Sequence, residues 1–445
     1  MTGRLWRERR PAMSKLEVIY RPLADLQINP YNARKHSRAQ IAKIAASIKS
    51  FGFNVPVLTD ENSQLIAGHG RVEAAKQLGL LSVPTIAIEG LNEAQLGAFA
   101  IADNRIAELS TWDDTMLASE FEKLINLGAG LDFEIVDTGF EIGKIDHIIS
   151  QAREPEPEPE EQLAISNVPK VSQRGDLWQC GQHRLFCGDA RDADSYRILM
   201  GAERAAMTIA DPPFNVPIDG HVSGLGKNRH REFEMASGEM SASEFERFLE
   251  AVCVQIRDYS CDGALIYLFM DWRSIATLIT VGSCVFNAFK ALCVWNKMKG
   301  SMGSLYRSQH ELIAVFKKGS APHRNNVELG KHGRTRTNVW DCPGMSSFGA
   351  GRDEALKMHS TVKPVGLIAD AILDCTKPGD VVLDCFGGSG TILLSCERTG
   401  RVARAIEIDP GYVDVSLARF YRKTGIRPVN LWTGELFPAT NFSEE

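Results

Sequence analysis

Two short stretches hold residue types that could do chemistry together. The first is Asp211-Pro212-Pro213-Phe214, which follows the run Met207-Thr208-Ile209-Ala210. That run reads as a strand, so the tetrapeptide falls at a strand's carboxyl end, where open α/β sheets bind ligands. The prolines stiffen the turn and leave backbone carbonyls without a local N–H competitor. A carboxylate and a carbonyl aimed at one point can accept both hydrogens of an amino group. This keeps the nitrogen pyramidal and its lone pair localised for attack on a sulfonium methyl. Phe214 offers a flat face to a stacked base, a contact worth roughly 1–3 kcal/mol. An Asp-Pro turn beside a core Phe is the plainer reading of the same residues. The second stretch, Asp384-Cys385-Phe386-Gly387-Gly388-Ser389-Gly390-Thr391, follows the strand-like Val381-Val382-Leu383 and opens a helix. Glycines there permit positive φ and let a ligand approach the backbone. Glu407 lies twenty residues beyond Gly387, at the end of the next apolar run. An acid at that place can accept both ribose hydroxyls of an adenosine. The plainer alternative is a tight strand–helix turn with a solvated Glu. The G-x-x-x-x-G-K-[ST] pattern of a phosphate-cradling loop is absent.

Positioning these stretches requires strands and helices in alternation. Strand-like runs occur at Ala205–Ala210, Ala264–Met270, Ala291–Trp295, Leu312–Phe316 and Ala403–Ile408. Ser241 with Glu244 forms a capping box ahead of a helix carrying Phe245, Phe248, Leu249 and Val252. Alternation of this kind argues for a mostly parallel, doubly wound α/β sheet. Upstream, Glu154–Glu161 reads EPEPEPEE; alternating proline and like charge cannot bury a core and should be extended. A fragment starting near Gln162 is therefore expected to fold alone. Before that linker, Ile41, Ile44, Ala45, Ile48 and Phe51 recur at helical spacing after Ser37. Val55–Leu58 and Leu65–Ala67 read as strands, a helix is expected from Val72 to Leu78, and residues 113–150 read mostly helical.

The tetrapeptide and the Gly-rich turn together resemble the amino-methyltransferase family of DNA modification enzymes. Catalytic motif first and cofactor motif last resembles its permuted beta group. His359-Ser-Thr361-Val-Lys363-Pro364 resembles the family's H-x-T-x-K-P segment, which implies that His359, Thr361 and Lys363 help hold the methionine end of S-adenosylmethionine. Gly188-Asp189-Ala190 resembles the G-D segment, placing Asp189 near the cofactor adenine. The resemblance makes Asp384, Phe386, Gly387, Gly388, Gly390, Thr391 and Glu407 further cofactor residues. It makes Asp211, Pro212, Pro213 and Phe214 catalytic. It covers most of residues 175–423, and Gly387-Gly388 is one departure from the usual spelling. It implies a seven-stranded Rossmann-like sheet and a target base flipped out of duplex DNA, at a cost of a few kcal/mol. Methylation of a ring carbon would need a Cys after a Pro; Cys342-Pro343 has the reverse order. Asp at the head of the tetrapeptide leans towards adenine, with the cytosine amino group as the alternative. Residues 290–340 carry ten Lys or Arg against two Asp or Glu. Lys331, Arg334 and Arg336 there are candidates to meet DNA phosphates, with Lys227, Arg229 and Arg231 in a Gly-rich loop after the tetrapeptide.

The N-terminal module resembles the ParB/sulfiredoxin-type fold over residues 16–110. The matching segments are Asn29–Arg34, Gly68-His69-Gly70-Arg71 with Ala74-Ala75, and Ala102–Arg105. Arg34, Gly68, His69 and Arg71 are its candidate site. ParB proteins usually have Gly-Glu-Arg-Arg where this chain has Gly68–Arg71, and His69 stands where sulfiredoxins have their cysteine. Cutting DNA, binding a nucleotide and gripping DNA all stay open for this module.

Composition bounds the rest. The 445 residues carry a net charge of −6 and 44% hydrophobic residues, as in globular proteins of two or three domains. No apolar run reaches the roughly 18–20 residues that span a bilayer, and no secretory pattern follows the basic Met1–Arg10. The ten cysteines form no C-x-x-C pair, so no metal is expected. Cys253, Cys284, Cys293 and Cys385 read as buried thiols of a cytoplasmic protein. The expected organisation is a smaller α+β ParB-like domain at 15–110, a helical extension at 111–152 and an acidic linker at 153–162. A methyltransferase domain at 163–440 follows, with its recognition region at about 215–358. Expected partners are S-adenosylmethionine and double-stranded DNA, with no membrane; a homodimer and a restriction partner stay open. The rival from another class is a ParB-type DNA-binding module joined to an inactive methyltransferase domain.

Overall fold

In the N-terminal part of the chain, Ser37 caps the first helix by accepting the Gln40 N–H at 3.1 Å. The computed structural model describes residues 16–30, 32–127, 132–152, 168–215, 239–300, 306–331, 336–343 and 363–439. Contacts divide the chain into two units, Met1–Glu141 and Ile142–Glu445. In the first, strands β1 (Ile19–Pro22), β2 (Val57–Thr59), β3 (Leu65–Ala67) and β4 (Ser82–Ala87) form one sheet in the order β1-β4-β2-β3. Helices α1 (Arg38–Phe51), α2 (His69–Gln77), α3 (Glu93–Ala107) and α4 (Asp114–Leu127) accompany it. Val57, Leu65, Val72, Ala75 and Val83 form its apolar centre. Helix α2 starts at His69, three residues before the expected Val72, because Gly68 adopts a φ of 98° and turns β3 directly into the helix.

The second unit begins earlier than the sequence suggested. Helix α5 (Ile142–Ala152), assigned above to the N-terminal extension, belongs to this unit. Its Asp146 forms a bidentate ion pair with Arg401, at 2.8 and 3.0 Å, and both side chains are buried. The acidic linker lies outside the described residues.

Among the described residues, the unit's sheet has ten strands. In chain order they are β5 (Leu177–Cys180), β6 (His183–Cys187), β7 (Ala205–Ala210), β8 (Ser260–Met270) and β9 (Ala288–Asn296). Then come β10 (His310–Lys317), β11 (Val339–Asp341), β12 (Val381–Asp384), β13 (Val402–Glu407) and β14 (Val429–Asn430). The spatial order is β11-β9-β10-β8-β7-β12-β13-β6-β5-β14. The run β8-β7-β12-β13-β6 is parallel, whereas β10 pairs antiparallel with both β8 and β9. The seven-stranded sheet implied by resemblance is thus the stretch from β9 to β6, widened by β11 on one side and by β5 and β14 on the other. Both faces of the parallel centre are covered, as such sheets require. Strand β8 shows why: Leu265, Tyr267 and Phe269 enter one apolar core, and Ile266, Leu268 and Met270 enter the other.

Helices α6 (Ala193–Met200), α7 (Ala242–Asp258), α8 (Ile275–Val285), α9 (Val365–Cys375), α10 (Thr391–Thr399) and α11 (Pro410–Thr424) complete the unit. The capping box read at Ser241 and Glu244 is present at the start of α7, whose Phe245, Phe248, Leu249 and Val252 are buried. Cys253, Cys293 and Cys385 are buried free thiols, but Cys284 is exposed, since α8 turns Leu278 and Val281 inward instead. Among the described residues, no helix is long and apolar enough to cross a membrane.

Candidate active site

Four neighbouring parallel strands bring four acids to one edge. Strand β7 leads into Asp211, β12 ends at Asp384, β13 ends at Glu407, and β6 leads into Gly188-Asp189. One cavity opens along this edge. It is lined by all four acids, by Pro212, Pro213 and Phe214, by Lys363, and by Phe386, Gly387, Gly388 and Thr391. Gly390 does not line it. Its φ is 81°, and a Cβ there would meet the Ser416 side chain at 2.7 Å, so this glycine lets α11 pack on the turn.

The Gly-rich turn fixes the orientation of Glu407. The Gly388 N–H donates to Glu407 Oε2 and the Asp409 N–H to Oε1, each at 2.8 Å. Each oxygen keeps a lone pair for a further donor. Burial pushes the Glu407 carboxyl up to about 7, and burial does the same to Asp384, also to about 7. Asp189 differs. Burial would raise it, but hydrogen bonds from Arg191, the shortest at 2.6 Å, outweigh this and hold it below the usual carboxylate range.

Asp211 follows β7, the strand beside β12. Its Oδ2 accepts from Lys363 Nζ at 2.5 Å, while its buried Oδ1 has no partner among the described residues. Burial pushes this carboxyl up to about 6, although the Lys363 ammonium draws it down. The backbone carbonyl of Phe214 accepts from Ser274 Oγ at 3.2 Å, which ties the tetrapeptide to the start of α8. Thr391 Oγ1 donates to the Lys363 carbonyl at 3.2 Å and so links the Gly-rich turn to this lysine.

Lys363, read from sequence as a cofactor residue, is therefore also a partner of Asp211. Sequence reasoning missed Glu311 and Lys297. Glu311 Oε2 lies 3.0 Å from Lys363 Nζ, and Lys297 donates to Glu311 Oε1. Burial would raise Glu311, but the two ammoniums outweigh it and hold the carboxyl at about 2. The available signal was a single acid at the head of the apolar run Leu312–Phe316, which reads as a solvated strand end.

The other candidates fare differently. Arg336 pairs with Asp374 at 3.1 Å and Asp370 at 3.3 Å and lies over the Trp340 ring, so its charge is committed within the fold. Lys331 pairs with Glu328 at 3.1 Å, with both side chains exposed. Lys227, Arg229, Arg231, Arg334, His359 and Thr361 lie outside the described residues. In the N-terminal unit, two of the matching segments meet: Arg34 donates to Asn104 Oδ1 at 2.8 Å. His69 and Arg71 begin α2 after the left-handed Gly68, and burial lowers the pKa of both. Gly70 leaves room for His36, whose ring a Cβ would approach to 3.1 Å.

Comparison with known proteins gives the following matches. A family model described as DNA methylase, of the N6/N4 type, matches residues 205–418, and one for the ParB N-terminal domain matches residues 8–105. The ParB-like nuclease domain-containing protein YnaK of Escherichia coli K12 is 51% identical over 81 residues, which are 18% of this chain and 93% of that protein. Type II methyltransferase M.Cfr9I of Citrobacter freundii is 33% identical over 135 residues, 28% of this chain and 42% of that protein. The structure of the PvuII DNA methyltransferase, described as cytosine-N4-specific, aligns with a TM-score of 0.41 at 19% identity, over 53% of this chain and 85% of that one.

Proposed function

We propose that this chain, which matches a DNA methylase family model of the N6/N4 type over residues 205–418 and a ParB N-terminal domain model over residues 8–105, transfers a methyl group from S-adenosylmethionine to the exocyclic amino group of adenine in double-stranded DNA. The observation that carries this reading is the buried Oδ1 of Asp211, without a partner among the described residues, on a residue that lines one cavity with Glu407 and the Gly-rich turn. An orphaned buried acceptor calls for a donor, and an amino group is one.

The residues fit the cofactor. Glu407 would accept the ribose hydroxyls, the backbone of Gly387 and Gly388 would allow close approach, and Phe386 would give an apolar wall. When bound, the cofactor supplies an electrophilic methyl on a positive sulfur. Asp211 Oδ1 accepts one amino hydrogen and the Pro212 carbonyl the other, which localises the nitrogen lone pair. Phe214 stacks on the flipped base, and the surrounding apolar walls keep water from the charged centre.

The direct test is incubation of the purified chain with labelled S-adenosylmethionine and mixed-sequence duplex DNA, followed by nucleoside mass spectrometry. N6-methyladenine is the expected product. N4-methylcytosine would move the assignment to cytosine, and unlabelled DNA would leave the reading without support.

A second expectation concerns Glu407. Replacement by Ala should weaken S-adenosylmethionine binding by roughly 1.5–3 kcal/mol, the range for a hydrogen bond to a charged group. The ribose hydroxyls favour the ionised carboxylate, and burial places its midpoint at about 7. Affinity should thus be full above that pH and decline as the pH falls through it. Calorimetry between pH 8.5 and 5.5 should show this decline, and Glu407→Gln should flatten it; a flat wild-type profile would remove Glu407 from the ribose.

A further inference from the structure

A buried charge cluster beneath Asp211 takes no part in the steps derived above. It is built from elements distant in sequence: Lys363 precedes α9, Glu311 stands on β10, and Lys297 follows β9. The Glu311 and Lys363 side chains are each 7% exposed. Lys363 Nζ lies between Asp211 Oδ2, at 2.5 Å, and Glu311 Oε2, at 3.0 Å. It also faces the Phe269 ring, 4.9 Å from its centroid. Lys297 holds the other oxygen of Glu311. Two ammoniums and two carboxylates alternate along this chain, so the cluster is neutral when all four are ionised. Glu311 does not line the cavity.

From this geometry we infer that Glu311 is a positioning residue, which through Lys363 fixes the oxygen that Asp211 presents to the target amino group. This inference rests on the methyl-transfer reading above. A lysine ammonium on a flexible four-carbon stem has no preferred direction of its own. Glu311 and the aromatic walls supply one. With Lys363 held, Asp211 Oδ2 is occupied, and the buried Oδ1 is left without a hydrogen-bond partner among the described residues. The second role is electrostatic. The Lys363 ammonium favours ionised Asp211, and the Glu311 charge opposes it; Lys297 supports ionisation from farther away. Asp384, at the end of the neighbouring strand, is the other acid that Asp211 faces, and their charges oppose each other.

The two partners therefore shift the acid limb of the reaction in opposite directions. Ionised Asp211 is the active form, so the single-turnover rate falls as the pH drops through its midpoint. Lys363→Gln removes the favourable charge and should move that limb to higher pH. Glu311→Gln removes the opposing charge and should move it to lower pH. Glu311→Gln should also lower the plateau rate about tenfold, within the roughly 10²-fold loss that misplacing a reacting group can cause, with S-adenosylmethionine affinity within twofold. Lys363→Arg should keep the limb near its wild-type position. The same shifts should appear in the 13C titration of the Asp211 carboxyl, identified by its loss in Asp211→Asn.

Unmoved limbs, or limbs that move together, would overturn the inference. If Lys363→Gln does not fold, the direction of the Glu311→Gln shift decides, and the reverse holds if Glu311→Gln does not fold. A wild-type chain that methylates no DNA while its Asp211 carboxyl titrates with both shifts would sink the functional reading and leave the charge coupling standing. A wild-type chain that methylates DNA without those shifts would sink this inference alone.

Discussion

Replacement of Asp211 by Ala or Asn is expected to lower the rate of methyl transfer about a thousandfold, within the range of roughly 10²–10⁴ for a positioned proton-handling group. Asp211 Oδ1 is a buried acceptor without a hydrogen-bond partner among the described residues, and Oδ2 is held by Lys363. Asparagine keeps the shape but puts an uncharged amide beside the Lys363 ammonium, so both variants lose the charge that draws the amino hydrogens. Cofactor affinity should change only a few fold, because the ribose is assigned to Glu407 on β13, two strands away from β7 in the sheet. Single-turnover kinetics and calorimetry on the same variants separate the two effects. A variant with near-normal turnover would remove Asp211 from catalysis. One that loses cofactor binding altogether would show that the residue supports the site as a whole.

Replacement of Asp146 by Ala is expected to destabilise the second unit by about 3–5 kcal/mol, the cost of stranding one member of a buried ion pair. Arg401 is among the largest fully buried side chains. Its guanidinium also donates to Thr376 Oγ1 at 3.0 Å, to the Thr376 carbonyl at 2.8 Å and to the Thr399 carbonyl at 2.6 Å. These bonds hold the group where only Asp146 supplies the opposing charge among its hydrogen-bond partners described here. For a unit larger than the 150–250 residues to which roughly 2–4 °C per kcal/mol applies, the loss corresponds to about 2 °C of melting temperature per kcal/mol. Thermal melts of the full-length variant check the effect, and a melt within 2 °C of wild type would mean that the pair contributes little. The same contact changes the expected fragment. A chain starting near Gln162 lacks Asp146, so it should melt well below one starting at Ile142 if the pair matters as argued.

Local signals made much of the methyltransferase unit legible. Ala205–Ala210 is a strand with the bounds read from its apolar run, and the Ser241 capping box starts its helix. Glu407 closes β13 at the place read from its spacing to Gly387. Each of these features is set by neighbours a few residues apart: an apolar run, a capping side chain, a glycine that admits positive φ. The start of α2 was misplaced because apolar spacing begins at Val72, while the helix is started by the backbone freedom of Gly68.

The charges that decide the site's chemistry followed no local rule. A lone Glu and a Lys after a strand carry no local signal, and Lys363 was read only as a cofactor residue. Their meaning depends on which strand ends meet: β9 and β10 pair antiparallel, with Glu311 opposite Trp295, and the segment before α9 brings Lys363 over them. Arg336 shows the converse, since a basic stretch suggested a phosphate contact and folding gave the residue two carboxylates of α9. Helix α5 was grouped with its sequence neighbours, yet one buried ion pair ties it to a residue 255 positions away. The amino-acid sequence by itself determined the α/β class, several strands and helix starts and the motifs at the strand ends, because hydrophobic periodicity, capping and glycine conformations act over short distances. Only the tertiary structure decided which charges are buried together and which oxygen of Asp211 is left without a partner among the described residues. That choice belongs to side chains far apart in sequence, whose desolvation must be offset by whatever partners the fold delivers.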